Sequence, residues 1–209
     1  MAGTVLLSTA YFPPAEYFRL ITHAGDVRIE KWENYHKQTY RNRCTILGAN
    51  GPLDLIVPVL RGSFHKTPVR DIEIDNSRRW RELHLRGIMS AYATAPYFEF
   101  YFDIIREVIT GEFRYLTELN AAALKTVLDA LGVDVPVRPT DEFISEGMAE
   151  ADFRYLITPK IPSGSVENAG ISYTQVFSDR YGFVPRLSII DLLLNNGPET
   201  RALLLRPPA

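Results

Sequence analysis

Apolar and polar residues follow the spacings of strands and helices over the first thirty residues. Thr4–Ser8 is a short apolar run and predicts a buried strand. Pro14 then opens a stretch with apolar positions at helical spacing, which predicts a helix over residues 15–24. Asp26–Glu30 predicts a second strand. A strand, a helix and a strand in so short a span form a βαβ unit, for which we expect parallel strands and a right-handed crossover.

A hairpin is predicted next. Residues 41–47 and 53–59 are strand-like, and Asn50-Gly51 lies between them, which is a strong turn signal. Alternation along the first of these strands places Arg41 and Arg43 together on one face. It places Cys44 on the other face, in the interior.

Three helical patterns follow the hairpin. The first covers residues 78–93, with Ser77 as its expected N-cap. The second opens at Pro96 and is apolar almost all round, so we expect a central helix. The third is Leu116–Leu131, which Gly132 ends.

Regular patterns fade over residues 133–170, where prolines and glycines interrupt the chain. A segment of this length without clear elements is typical of a functional loop, so we interpret it as a lid. A short helix near residues 142–148 and strands at 154–158 and 173–177 are the elements predicted around it.

The carboxyl-terminal pattern predicts two helices. Ser188 and Asp191 have the spacing of a capping box, which explains Asp191 more simply than a reactive carboxylate does, and Pro198 starts the last helix. The whole pattern predicts a single α/β domain over residues 1–209, in which several helices pack on a mixed β-sheet that includes the βαβ unit and the hairpin.

The most informative segment is the polar stretch, residues 31–43. Its thirteen residues include four cations and no aliphatic side chain, glycine or proline. Long cationic and aromatic side chains suit the binding of an anionic ligand, whereas a polar edge strand protected by its charges is the alternative. The stretch leaves the carboxyl end of a predicted strand, as does the loop that contains Tyr11, and ligands of open α/β sheets bind at such ends. The predicted substrate-binding residues are Tyr11, Asn34, Tyr35, Lys37, Gln38, Arg41, Asn42 and Arg43.

Two residues are candidates for proton transfer. His84 lies on the inward stripe of its helix, where a hydrogen-bonded core histidine is the alternative to a catalytic one. Glu30 ends the second strand beside the polar stretch, and it either acts as a base or neutralises nearby cations, as does Glu33. Cys44 as a nucleophile has no local support.

Composition narrows the function further. The chain has 209 residues, a net charge of −2 and one cysteine. Such a charge argues against general nucleic-acid binding, and one cysteine excludes an internal disulfide and fits a reducing cytoplasm. No signal peptide and no apolar run long enough to span a membrane is seen. The four histidines lack zinc-site spacing, and neither a metal nor a cofactor is called for by any motif. Lys160 and Arg180 are further cations that could close over an anion.

Several ordered motifs together resemble the WbqC-like protein family of bacteria, over almost the full chain. They include Thr9-Ala-Tyr-Phe-Pro-Pro14, Tyr35-x-Lys-Gln-Thr-Tyr-Arg-Asn-Arg43, Trp80-x-x-x-His84 and Asn196-Gly-Pro-Glu199. Many family members carry His-Gln-Pro before the Tyr-Phe-Pro, whereas this chain has Leu7-Ser8-Thr9 in that place.

The resemblance implies a role in making bacterial surface polysaccharide, such as O-antigen, with glycyl or acyl transfer suggested for some members. We therefore expect a group-transfer enzyme that acts on an anionic, sugar-nucleotide-like precursor. The alternative is a non-catalytic module that binds an anionic metabolite or a biosynthetic partner protein. The resemblance also favours the polar-stretch residues as substrate-binding residues and His84 as a catalytic residue. The sequence leaves the oligomeric state open.

Overall fold

The computed structural model describes residues 3–60, 66–149, 151–159 and 171–206. Strands and helices mix along this described part of the chain. The strands are β1 (Thr4–Ser8), β2 (Asp26–Glu30), β3 (Arg43–Gly48), β4 (Gly51–Ile56), β5 (Val137–Pro139) and β6 (Ala151–Asp152). The helices are α1 (Ala15–His23), α2 (Trp80–Tyr92), α3 (Phe98–Thr110), α4 (Leu116–Leu131), α5 (Ser178–Tyr181), α6 (Ile189–Asn196) and α7 (Glu199–Leu205).

The main sheet contains four parallel strands in the order β5-β2-β1-β6. Thr4 pairs with Asp26 and Ser8 with Glu30, so β1 and β2 end side by side. This confirms the predicted βαβ unit, including the bounds of both strands. Parallel strands of one sheet present their carboxyl ends at the same edge, and this edge positions the site described below.

The hairpin forms a separate two-stranded antiparallel sheet. Gly48 pairs with Gly51, and Gly51 has a φ of +105°, a conformation that glycine adopts without a Cβ clash. The hairpin turn is therefore as predicted. The strand bounds differ from the prediction, because β3 begins at Arg43 rather than at residue 41 and β4 covers Gly51–Ile56 rather than residues 53–59. Cys44 points into the core as predicted, and burial raises the pKa of its thiol to about 12, which makes it a poor nucleophile.

The helices agree with the sequence pattern in part. The bounds of α1 and α4 are as predicted to within one residue, and Gly132 ends α4 in the left-handed conformation. Ser77 is not the cap of α2, because its hydroxyl bonds the Asp75 side chain and the helix begins at Trp80. The prediction of a central α3 is wrong, since Phe100 is 74% exposed and one helical face is solvated.

The predictions for the irregular region are wrong within the described residues. Residues 142–148 form bends and turns rather than a helix, and residues 154–158 and 173–177 are not strands. The region instead contributes β5 and β6, which extend the parallel sheet at its two edges. These strands have only three and two residues, too short to leave a periodic pattern. The lid interpretation remains a prediction, since Glu150 and residues 160–170 lie outside the described residues.

Ser188 caps α6 as predicted, because its hydroxyl accepts the backbone N–H of Ile190. The capping-box role of Asp191 is wrong. Its carboxylate is buried and accepts hydrogen bonds from the side chains of Tyr92, Tyr173 and Gln175 instead. We call these four residues the core polar cluster.

The predicted α/β class is confirmed by the parallel sheet, the hairpin and the helices around them. α2 packs against both hairpin strands, and α6 packs against α1, α3, α7 and β3. The buried apolar residues of these elements form one hydrophobic core. This arrangement leaves the carboxyl ends of β1, β2 and β5 next to α4.

Candidate functional site

The polar stretch divides into an outward set and an inward set. Asn34, Lys37 and Gln38 are exposed. Arg41, by contrast, is only 4% exposed, and Glu33 is also buried. The two sets are separated by bends and a turn rather than by the alternation of a strand. Gln38, within these bends, has a φ of +59°. The sequence therefore places polar side chains near the sheet edge, but only part of the stretch turns towards it.

Arg41 joins the polar stretch to the end of β1. Its Nε and Nη2 lie 3.0 and 2.6 Å from one oxygen of Glu33, and its Nη2 donates to the hydroxyl of Ser8 at 2.9 Å. Ser8 in turn donates to the backbone oxygen of Arg154 at 3.1 Å. Removing either partner of a buried ion pair is costly, so this geometry fixes the polar stretch against the sheet.

Glu30 fixes the other side of the edge. Its carboxylate is fully buried and accepts from the backbone N–H groups of Trp32 and Ile144 and from the hydroxyl of Thr140. A guanidinium nitrogen of Arg154 lies 3.5 Å away. Glu30 thus connects the end of β2 to the segment between β5 and β6, which is the neutralising role that the sequence left open.

Arg154 was not predicted from the sequence. Its guanidinium group is fully buried, donates to both carboxylate oxygens of Asp152, and donates to the backbone oxygen of Ile144 at 2.7 Å. Its contact with Glu30 spans 124 positions, so no local spacing signals it. We call Ser8, Glu30, Glu33, Arg41 and Arg154 the carboxyl-edge cluster.

A narrow recess of about 10 Å³ opens at this cluster. Arg41 and Arg154 contribute to its wall together with the end of β1. Ser8 and Thr9 are among its lining residues. Two guanidinium groups there face three carboxylates, those of Glu30, Glu33 and Asp152, so the recess has no excess positive charge.

A larger groove of about 600 Å³ adjoins the recess and shares Thr9, Ala10 and Tyr17 with it. The groove lies between α4 and the carboxyl ends of the parallel strands. Its volume falls within the range of small-molecule sites. The cations on its wall are Lys31, Lys125 and Arg138. Within the described part of the chain, Lys31 and Arg138 form no ion pair, whereas Lys125 pairs with Asp129 at 2.5 Å.

The loop after β1 that lines both cavities is held in an uncommon conformation. Phe12 is fully buried with a φ of +38°, and its backbone oxygen accepts the hydroxyl of Ser188 at 2.7 Å. Positive φ at an aromatic residue persists only where the surroundings impose it. The C-terminal helices therefore help to set the position of this loop.

His84 lies in the core and lines neither cavity. Its Nδ1 is 3.0 Å from the hydroxyl of Tyr11, and Trp80 packs edge-on against its ring. Burial lowers the pKa of His84 from 6.5 to about 4, while a hydrogen bond with the backbone of Ile56 opposes the shift. This geometry supports the core-histidine alternative for His84 and a packing role for Tyr11.

The remaining predicted binding residues also lie off the two cavities. Asn42 donates to the backbone oxygen of Val57, and Arg43 pairs with Asp54 at 3.2 Å on the hairpin. Tyr35 is buried, which raises its pKa, and both Arg43 and Arg41 oppose that shift. Of the eight predicted binding residues, only Arg41 lines the recess, and none lines the groove.

The remaining predictions concern two further cations, a metal site and a membrane span. Arg180 donates to the backbone oxygen of Ala49 at 2.6 Å, so it is tied to the hairpin turn, and Lys160 lies outside the described residues. Among residues that the structure describes, no three His, Cys, Asp or Glu side chains gather as metal ligands. The same residues include no helix with the length and apolar character needed to cross a bilayer.

Comparison with known proteins identifies the family. The model of the WbqC-like protein family matches residues 9–158, which include β2, the polar stretch and α4. The chain belongs to the WbqC-like protein family. A relative in Mycobacterium tuberculosis, the uncharacterized protein Rv1507c, is 27% identical over 223 residues, which cover 95% of this chain and 96% of the relative. No solved structure matches the chain.

The matched range has a bearing on the site. It contains every described residue of the carboxyl-edge cluster that follows Ser8, and it contains Thr9 and the α4 residues of the groove. The core polar cluster is divided by the match, since Tyr92 lies inside the range and Asp191 lies beyond it. In this WbqC-like chain, the groove and its wall are thus made within the matched segment.

Proposed function

We propose that this protein binds an anionic, sugar-nucleotide-like precursor in the groove and transfers an acyl-type or aminoacyl-type group to or from it, in a cytoplasmic step of bacterial surface polysaccharide synthesis. The observation that carries the proposal is the groove of about 600 Å³ at the carboxyl ends of the parallel strands, walled by Lys31 and Arg138. Cations at such an edge are suited to phosphate.

The recess has a supporting role in this proposal. Arg41 and Arg154 are already compensated by carboxylates, so they hold the strand ends in place and present hydrogen-bonding groups rather than an uncompensated charge. Lys31 directly follows β2 and is half-buried on the groove wall, with its ammonium 5.8 Å from the Trp32 ring. A phosphate in the groove is therefore better placed near Lys31 than inside the recess.

The transfer step has simple chemical requirements. A hydroxyl or amino group of the acceptor attacks the carbonyl carbon of an acyl donor, a new C–O or C–N bond forms, and the bond to the donor's leaving group breaks. The acceptor's proton passes to a base or to the leaving group. In the proposal Glu30 or His84 takes that proton, and because both are buried and hydrogen-bonded, either side chain has to be uncovered first.

That burial also favours the second candidate, a non-catalytic module that captures an anionic metabolite. Glu30 is engaged by four donors within hydrogen-bond distance, as expected of a residue that supports the site rather than one that reacts. In this alternative the same groove binds the same class of ligand, and no product forms.

The test is binding followed by turnover. Thermal shifts with UDP-, dTDP- and GDP-sugars, coenzyme A thioesters and inorganic phosphate would find a ligand, and mass spectrometry of a ligand and donor mixture would find a product. Ala121 is exposed on the groove wall, so Ala121→Trp fills the groove, whereas Ala202→Trp is the matched change on α7 away from it. We expect binding to be lost in Ala121→Trp and kept in Ala202→Trp.

The outcomes separate the candidates. Product that disappears in Ala121→Trp supports the enzyme. Binding with no product from any donor supports the module. If the two tryptophan variants bind the ligand equally well, the groove is not the binding site, which contradicts both the enzyme and the module.

A further inference from the structure

The groove runs along α4 from the carboxyl ends of the strands to the segment that leads into β5. At the strand ends, the Nδ2 of Asn120 donates to the hydroxyl oxygen of Thr9 at 3.0 Å and to the backbone oxygen of Arg41 at 2.8 Å. At the other end, the backbone N–H of Val133 donates to the backbone oxygen of Leu128 at 3.0 Å. The two walls are therefore joined at both ends of the groove, and one of these ends lies at the strand edge.

The length of the groove follows from the geometry of its walls. Its lining residues on α4 extend from Thr117 to Asp129, which at about 1.5 Å per residue span about 18 Å. On the opposite wall they extend from Val133 to Pro139, and an extended chain of that length covers about 20 Å. Two walls of similar length enclose the volume of about 600 Å³, so the groove is elongated.

The middle of the groove is aliphatic on both walls. Leu124 and Leu128 lie four positions apart, so they share one face of α4. The valines of the opposite wall lie at every second position and therefore share one face of the sheet, together with Ile29, which pairs with Pro139. The aliphatic lining residues are Ile29, Leu124, Leu128, Val133, Val135 and Val137.

The charged residues that line the groove are three cations and three carboxylates, so together they carry no net charge. They are Lys31, Lys125, Arg138, Glu118, Asp129 and Asp134. On α4, Lys125 pairs with Asp129, and Glu118 accepts the backbone N–H of Tyr115 at the helix cap. Lys31 is half-buried at the strand edge. This arrangement favours a ligand with an uncharged, apolar body and a polar or anionic end at Lys31.

A linear acyl chain has these properties. It follows an elongated groove and gains free energy from each methylene that leaves water. A sugar or a base would leave polar edges against the hydrocarbon, so the polar parts of a substrate belong at the strand edge. An aminoacyl group would bring an ammonium, for which the aliphatic middle has no partner. An added peptide strand is disfavoured, because β5 has three residues and ends at Pro139, which has no N–H to donate.

We propose that the groove binds a linear acyl chain, with the carbonyl end at the strand edge beside Lys31 and the methyl end towards Leu128 and Val133. The group transferred is then of the fatty-acyl type rather than the aminoacyl type. The inference rests on the proposed function for the transfer reaction, whereas the binding of the chain can be measured without it. The acyl chain and the anionic part of the substrate occupy different ends of the groove.

The first test is a series of saturated fatty acids, titrated calorimetrically into the intact protein below their micelle-forming concentrations. Butyrate, octanoate and dodecanoate share the carboxylate and differ only in the number of methylenes. Complete burial of one methylene tightens binding about fourfold, and a methylene covered on one side gains about twofold. We therefore expect each step of the series to tighten binding by at least about tenfold.

A matched pair of variants locates the chain. Val135→Thr keeps the shape of the side chain in the middle of the groove and adds a hydroxyl that the bound chain covers, so we expect dodecanoate to bind about fivefold or more weakly. Val59→Thr is the same change at another half-buried valine, which lines neither the groove nor the recess. It should bind dodecanoate within about twofold of the wild type.

The outcomes are distinct from those of the proposed function. Affinity that changes by less than about twofold from butyrate to dodecanoate, or an equal loss in both valine variants, overturns the inference and does not affect sugar-nucleotide binding. Dimers in light scattering that Ala121→Trp dissociates would place a second copy of the chain in the groove, and they too overturn the inference.

Two further results separate the inference from the enzyme. Steep dependence on chain length that only Val135→Thr weakens supports the inference, and if no donor then gives a product, the inference stands and the enzyme is removed. Transfer of an aminoacyl group by a protein that binds no fatty acid supports the enzyme and overturns the inference.

Discussion

The carboxyl-edge cluster and the core polar cluster are both buried, but their charges are compensated in different ways. In the former, Arg41 and Arg154 lie against carboxylates, so each charge has an opposite charge beside it. In the latter, the donors that reach the Asp191 carboxylate from the described residues are all neutral: two tyrosine hydroxyls and one amide. The first therefore keeps fixed ions at a surface cavity, and the second joins helices in the interior.

The difference has a consequence for how each region responds to pH. Burial raises the pKa of Asp191, and its three donors oppose that shift. His84, another buried ionisable group without a counter-ion among the described residues, has its pKa lowered to about 4 by burial. Buried groups without a counter-ion favour their neutral forms, so we expect the interior to make stability depend on pH.

The largest expected effect is at the carboxyl-edge cluster. Arg154→Met removes the cation and leaves Glu30 and Asp152 uncompensated, so we expect a loss of roughly 3–5 kcal/mol in the free energy of unfolding. Urea denaturation at pH 7 measures it. The control is Arg78→Met, which breaks an exposed pair with Asp75 and should cost less than about 1 kcal/mol. If both variants lose less than about 1 kcal/mol in the free energy of unfolding, Arg154 does not compensate the charges of Glu30 and Asp152.

The next effect is the pH dependence due to His84. Its folded pKa of about 4 lies below its ordinary value of 6.5, so the unfolded chain binds more protons between these values. The contribution of His84 to the free energy of unfolding is thus fully present above pH 6.5, and it is lost as the pH falls towards 4. The shift corresponds to roughly 3 kcal/mol.

We therefore compare the free energy of unfolding of His84→Gln with that of the wild type. Whatever the difference at pH 7, we expect it to shift by about 3 kcal/mol in favour of His84→Gln as the pH falls from 6.5 to 4, because only the wild type loses the stability due to His84. Urea denaturation at several pH values gives the difference. His23→Gln removes an exposed histidine of α1 and should change stability by less than about 0.5 kcal/mol. A constant difference between His84→Gln and the wild type would show that His84 is not a buried neutral base.

The smallest expected effect is at the core polar cluster. Tyr173→Phe removes a donor that bonds the Asp191 carboxylate at 2.7 Å, and we expect a loss of about 1–3 kcal/mol at neutral pH. The matched control is Tyr181→Phe, which removes a hydroxyl that donates to the backbone oxygen of Ala49 at an exposed position. It should cost less than about 1 kcal/mol.

The sign of its pH dependence sharpens this test. Because the folded pKa of Asp191 is raised, its contribution favours folding at low pH and is lost as the pH rises through that pKa. Without Tyr173 the pKa rises further, so the deficit of Tyr173→Phe should shrink on acidification. A deficit that grows at low pH would contradict the lone-carboxylate description of Asp191.

Much of the fold could be predicted because its signals are local. β1, β2 and α4 have the predicted bounds, since apolar spacing, Pro14 and Gly132 act over a few residues. Of the site, the sequence identified the polar stretch and the strand end at Glu30. It did not identify Arg154, Asn120 or Thr9 as parts of one site, because their contacts with the strand ends and the polar stretch span between 79 and 146 positions.

The sequence by itself determined the βαβ unit, the hairpin turn, the bounds of α1 and α4 to within one residue, and the family, because these depend on near neighbours or on ordered motifs. Only the tertiary structure decided which charges of the polar stretch face inward, that His84 lies in the core, and that α4 closes a groove at the sheet edge. The physical reason is burial. Whether a polar side chain is desolvated, and which group compensates it, depends on residues that folding brings together from distant positions.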